Sequence, residues 1–196
     1  MKHHWKKLVF TATCAAFLSA CMDAPPQPEA PLMSFDQYKP IMLNVAKIEI
    51  IDKFKADGDG KHVELLMKQP PETAVQELIK KQLVAAGPSG ILRVIIDDAS
   101  VVGEKLPVTE GMKGMFTNEP AERYSARIAL RFESATDDAP DITKAHAEVT
   151  ADRTKTVMKD ASPAERDRVF YRLDEELMDD VSHGLQTVVR STFGLN

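Results

Sequence analysis

The chain has 196 residues, with 25 Lys and Arg against 30 Asp and Glu, a formal charge of −5, and only two cysteines. An acidic balance disfavours nucleic acid and anionic surfaces as partners recognised through charge. With one tryptophan and three tyrosines, there is little material for a carbohydrate platform of stacked rings.

The N-terminus carries the most specific signal. Lys2, Lys6 and Lys7 precede an eleven-residue stretch, residues 8–18, of mostly apolar character. It is too short for the ~20 residues a membrane-spanning helix needs. Leu18, Ser19 and Ala20 then stand directly before Cys21. A basic segment, a short apolar run and small residues form a secretory leader. A cysteine immediately after them is the pattern of a lipobox, read by a signal peptidase that cleaves before an acylated cysteine. The sequence therefore predicts a leader over residues 1–20 and a lipidated Cys21. Two or three acyl chains, at roughly 0.8 kcal/mol per buried CH₂, anchor a protein durably. Asp23 lies one place beyond the position at which aspartate favours inner-membrane retention. The expected address is the periplasmic face of the outer membrane, with the inner membrane as the lesser choice.

Losing the leader removes three lysines and no acid, so −5 becomes −8. It also removes Cys14 and Trp5. With Cys21 acylated, no thiol remains for catalysis, metal binding or a disulfide.

Residues 22–31 contain four prolines and little to bury. They predict an extended tether, polyproline II at about 3.1 Å per residue, able to hold a domain roughly 30 Å from the bilayer. The expected organisation is leader 1–20, lipidated cysteine and tether 21–40, and one domain over 41–196, a length that supports a single core.

Within that domain, residues 44–52 alternate apolar and charged side chains, the period of a strand with one buried face. Residues 55–61 read as a turn. Asp57-Gly58-Asp59-Gly60 fails the spacing of a calcium loop and lacks its glutamate. Pro71 opens a helix whose apolar positions are Val75, Leu78, Ile79, Leu83 and Ala86, ended by Gly87-Pro88. Leu65, Leu66 and Met67 are expected to pack on that helix or its neighbour. Residues 91–106 form an apolar, central strand. Residues 124–132 alternate most regularly of all, and a fourth strand follows over 144–157. Its small residues Ala145, Ala147 and Ala151 predict a helix lying close above it. Ser162-Pro163-Ala164-Glu165 predicts a capping box, opening a helix with a stripe of Val169, Leu173, Leu177, Val181, Leu185, Val188 and Thr192 that lasts until Gly194. The result is an α+β fold of order β-α-β-β-β-α, a four-stranded, mainly antiparallel sheet with two helices on one face.

Chemistry is sparse. His62, His146 and His183 fall on a loop, a strand and a helix without metal-ligand spacing. Asp97-Asp98 on a strand point to opposite faces and make no dyad, Asp137-Asp138 sits in a turn, and Asp179-Asp180 lies in the last helix. Nucleophile elbows and phosphate loops are absent. No catalysis, metal or cofactor is expected. The loop 107–120 is the one suggestive feature. Met112, Met115 and Phe116 are large and apolar, while Gly111 and Gly114 free the backbone. Such a loop either docks a partner or folds back over the sheet.

The leader, tether and element order resemble the small outer-membrane lipoproteins of Gram-negative bacteria. The order is similar to that of LptE-type lipopolysaccharide-assembly lipoproteins and of the auxiliary lipoproteins of ABC-type lipid transport systems. Glu122-Arg123-Tyr124 and Phe170-Tyr171-Arg172-Leu173 resemble segments of an uncharacterised proteobacterial lipoprotein family. The resemblance covers architecture and carries no catalytic motif. It implies a non-enzymatic, membrane-anchored accessory of an envelope protein complex, or alternatively a lipid or lipopolysaccharide carrier with its pocket between helices and sheet.

Overall fold

The computed structural model describes residues 30–56, 61–114 and 116–195. Leu18, Ser19, Ala20, Cys21 and Met115, and the turn Asp57-Gly58-Asp59-Gly60, lie outside the described residues.

The order of elements is β1 (Ile41–Leu43), β2 (Lys47–Asp52), α1 (Pro71–Gln82), β3 (Leu83–Ala85), β4 (Ile91–Lys105), α2 (the single turn Gly111–Gly114), β5 (Pro120–Ala135), β6 (Ala145–Met158) and α3 (Pro163–Gly184). A π-helical turn, Leu185–Val189, leads into a last short turn, α4 (Arg190–Phe193). The main sheet has strand order β2-β4-β5-β6. β2 runs parallel to β4, and the two other pairings are antiparallel. The α+β architecture expected from sequence is present, as a mixed sheet.

Alternation explains the layers. On β5, Tyr124, Ala126, Ile128, Leu130 and Phe132 are buried, while Arg127 and Arg131 lie on the opposite, outer face. The inner face meets Val75, Leu78 and Ile79 of α1 and Leu173, Leu177 and Val181 of α3 in one core. Gln82 Nε2 donates to Ser182 Oγ at 2.9 Å, a buried hydrogen bond between the two helices. The close approach of α3 to β6 is as expected. A Cβ on Gly184 would lie 2.5 Å from Val149 Cγ1, so only glycine fits there.

Four sequence expectations need correction. α1 stops at Gln82, because residues 83–85 leave the helix to pair parallel with β1. Leu83 is buried in that second, two-stranded sheet. Gly87 serves a close approach, since a Cβ would sit 2.5 Å from the Asn44 carbonyl carbon.

The C-terminal stripe is buried through Leu185, Val189 and Phe193, not Val188 and Thr192. Buried residues four apart outrun a helix of 3.6 residues per turn. The wider π turn absorbs the drift. Thr187 and Thr192 hydroxyls donate to the carbonyls of His183 and Val188, at 2.9 and 2.8 Å.

Asp97 and Asp98 share a face. Ile96 pairs with Leu130 and Asp98 with Ala129, so Asp97 is the extra residue of a bulge. Both carboxylates therefore reach outer-face arginines, Asp97 bidentately to Arg131 at 3.0 Å and Asp98 to Arg127 at 3.5 Å. The last correction concerns Leu65 and Leu66. Only Met67 packs inward, and both leucines stand in solvent.

Candidate functional site

The two ends of the sheet differ, and the loop 107–120 marks one of them. β4 leaves the sheet at Lys105 and β5 re-enters at Pro120. Leu106 N–H donates to the Ala121 carbonyl at 2.8 Å, closing the base. Glu119 then clamps the two limbs, accepting from Thr109 N–H at 2.6 Å and Thr109 Oγ1 at 3.2 Å. Just past β6, Lys159 Nζ donates to the Gly114 carbonyl at 3.2 Å. Gly111 takes a left-handed backbone, φ +72°, and a Cβ on Gly114 would sit 1.9 Å from the Thr109 carbonyl oxygen. The glycines expected to free this backbone instead shape a tight turn. The loop therefore has a fixed base.

Its apolar side chains point away from the fold. Met112 and Phe116 are almost fully exposed, so these two do not cover the sheet. A groove of about 490 Å³ runs beside Phe116, lined also by Gly114, Thr117, Asn118, Lys159 and Asp160.

Between the loop and α3, Arg166 donates to the Glu122 carboxylate and to the Tyr124 hydroxyl. The Arg166 guanidinium and the Tyr124 hydroxyl hold the Glu122 carboxyl below its usual range. The Tyr124 ring lies 4.8 Å from Phe170. The two segments singled out by resemblance, around 122–124 and 170–173, thus meet at this end. Their contacts join β5 to α3.

α3 also buries a carboxyl. Asp174 is 2% exposed, and its Oδ1 has no hydrogen-bond partner among the described residues. Burial pushes its pKa up to about 8, so it holds its proton at neutral pH. It faces a cavity of about 20 Å³ lined by Ala30, Pro31, Met33, Met67, Phe170 and Tyr171. That is the size of a single water. Sequence gave no hint of it, because Asp174 sits one residue after a stripe position.

Most of the remaining candidates are tied into the structure. Asp137 accepts from Gly90 N–H at 3.1 Å, Asp179 from the Tyr38 hydroxyl, and Asp180 from Arg153 at 2.7 Å. His62 Nδ1 lies 3.1 Å from buried Glu64, which also accepts from Val101 N–H at 3.3 Å. His146 and His183 are exposed. Among the described residues no group of three His, Cys, Asp or Glu is placed to hold a metal. No helix among them is long and apolar enough to cross a membrane.

No protein-family model matches the chain, and no curated protein matches it significantly. Among solved structures, rare lipoprotein B of Shewanella oneidensis is similar at 14% identity, covering 72% of this chain and 92% of its own, with a TM-score of 0.34. A Xanthomonas campestris protein under the DUF330 family model aligns at 9% identity over 77% and 88% of the two chains, with a TM-score of 0.32. A minor lipoprotein of Acinetobacter baumannii aligns at 14% identity over 79% and 98%, with a TM-score of 0.25. Scores this low do not establish a common fold. The architecture above stands on strand order and register alone.

Proposed function

We propose that this chain is a lipid-anchored accessory protein of the bacterial envelope, held on the periplasmic face of the outer membrane through an acylated Cys21. In this reading it works without catalysis, by presenting Met112 and Phe116 to an envelope protein partner. The observation that carries it is the loop 107–120, braced at its base by Glu119 and Lys159 yet offering two large apolar side chains to solvent. Exposed methionine and phenylalanine on a fixed base form an adaptable contact surface of low ordering cost. Tethering raises the effective concentration of such a surface near membrane partners. The partnered histidine and the paired aspartates support a non-catalytic role. No cofactor or metal enters the reading.

The alternative, a lipid or lipopolysaccharide carrier, has less support. The inner face of the sheet and both helices meet through side chains with no exposure, such as Phe132, Leu78 and Leu177. The cavity beside Asp174 is about 20 Å³, whereas ligand pockets run to several hundred Å³.

A photo-crosslinking residue at position 116, in the full chain in its own envelope, tests the proposal. One discrete protein adduct, lost in Met112→Ser and absent for the same probe at Ile142, is expected. Adducts of equal yield at both positions, or none at 116, would contradict it.

A further inference from the structure

The way the chain enters the domain fixes which end faces the membrane. Lys68 Nζ donates to the Ala30 carbonyl at 3.0 Å, and Met33 N–H donates to Gln69 Oε1 at 2.8 Å. Further on, the Tyr38 hydroxyl donates to Asp179, and Gln186 Nε2 donates to the Lys39 carbonyl at 3.0 Å. Residues 30–40 therefore run along α3 from its N-terminal half to its C-terminal end, where β1 begins. Ala30 shares a cavity with Asp167, Phe170 and Asp174 in the N-terminal half of α3, which follows β6, so it lies toward the end of the molecule where β4 and β6 finish and β5 starts. Leu65 and Leu66 directly precede Met67, Lys68 and Gln69, the segment on which the strap is pinned.

This end also carries the exposed apolar residues. Among the described large apolar side chains, Phe116 (87%), Leu65 (84%), Met112 (81%), Leu66 (71%) and Leu32 (62%) are the five most exposed. Next comes Ile142 at 58%, in the β5–β6 turn at the opposite end. Large apolar side chains left this exposed mark contact surfaces. The five divide into two flanks. Residues 61–63 pair along β4 on the β2 side, through Val63 N–H to the Val101 carbonyl and Gly103 N–H to the Lys61 carbonyl, both at 2.9 Å. The loop 107–120 is tied instead to Lys159, beyond β6.

We infer that Leu32, Leu65 and Leu66 form a seat for the phospholipid leaflet that carries the Cys21 acyl chains. The inference rests on the anchor proposed above and adds an orientation to it. Eight residues lie between Cys21 and Ala30, and the nine steps from one to the other span at most about 30 Å. A domain of this length has a radius of gyration of about 15 Å and a diameter of about 40 Å. The leash is shorter than the body, so the end bearing Ile142 cannot turn to the bilayer. The end bearing Leu32, Leu65 and Leu66 meets it. Lys61 and Lys68 flank the leucines on the exposed surface. The seat holds Met112 and Phe116 at the height of the membrane surface, so the partner they fit is one that stands in or on that leaflet.

Since Trp5 is the chain's one tryptophan and leaves with the leader, a new tryptophan reports alone. Leu65→Trp and Ile142→Trp are made in the full chain, purified in lipidated form and reconstituted on phosphatidylethanolamine–phosphatidylglycerol vesicles with brominated acyl chains. Both proteins are expected to float with the vesicles. Trp emission at 65 is expected to shift to the blue and lose most of its intensity, and at 142 to keep it. Flotation with equal, unquenched emission at both positions overturns the seat and leaves the anchor standing. Failure of both proteins to float overturns the anchor and the seat together.

Discussion

The two ends of the molecule put the same kinds of side chain to opposite uses. At the far end, Ile41, Leu43, Leu83, Leu185, Val189 and Phe193 are buried where β1, β3 and the C-terminal turns lock together. Asn44 N–H donates to the Phe193 carbonyl at 2.8 Å and Leu195 N–H to the Met42 carbonyl at 2.9 Å. At the near end, Leu65, Leu66, Met112 and Phe116 have no such cover. Apolar residues at one end hold the fold, and at the other they are free to meet something else. Two phenylalanines make the contrast quantitative, Phe193 at 7% exposure and Phe116 at 87%.

The largest expected effect comes from breaking the far end. Phe193→Ala should cost about 3–5 kcal/mol of unfolding free energy, the usual range for a buried Phe→Ala change, read by urea denaturation. A loss as small as that of a surface change would mean that the C-terminal turns do not close the core.

Next comes the carboxyl under the strap. Folded Asp174 keeps its proton up to about pH 8, whereas its ordinary value is 3.8. Folding thus takes up a proton between those values, and its stabilising effect is full below about pH 4. Stability should fall as pH rises, by at most about 1.4 kcal/mol per pH unit, and level off above about pH 8. Asp174→Asn should remove that slope in a series of melts from pH 5 to 8. An unchanged slope in the variant would assign the pH dependence elsewhere.

A smaller effect is expected where the near end is fastened to α3. Arg166 is partly exposed, so Arg166→Met should cost about 1 kcal/mol, with a part of it recovered when Glu122→Gln is added. Strict additivity of the two changes would show that the pair does not interact.

Smallest of all, Phe116→Ser and Leu65→Asp should each change stability by no more than about 0.5 kcal/mol, as expected for exposed positions. A loss of several kcal/mol at either would place that residue in the core and erase the difference between the ends.

Much of this could be read from the residues, and the misses share a cause. The strict alternation of Tyr124 to Phe132, and Ser162-Pro163-Ala164-Glu165, report on local structure. The strand is there, and so is the capping box, with Ser162 Oγ accepting from Glu165 N–H and Ser162 N–H donating to Glu165. Leu83 and Val84 continue a helical pattern as well as a strand one, and only β1, forty residues earlier, decides between them. The bulge at Asp97 leaves no trace in an apolar run. Leu65 and Leu66 beside Met67 look alike in sequence, yet one of the three is buried, because exposure depends on what the fold brings alongside. The loop was visible in its composition, but the bracing by Glu119 and Lys159 comes from residues on separate strand ends.

The contrast between ends gains its meaning from the proposed anchor, and one mass spectrum addresses that proposal directly. The N-terminal peptide of the protein isolated from its own membranes should begin at Cys21 and carry diacylglycerol, with or without a third acyl chain. A peptide that begins elsewhere, or an unmodified Cys21, would contradict the account.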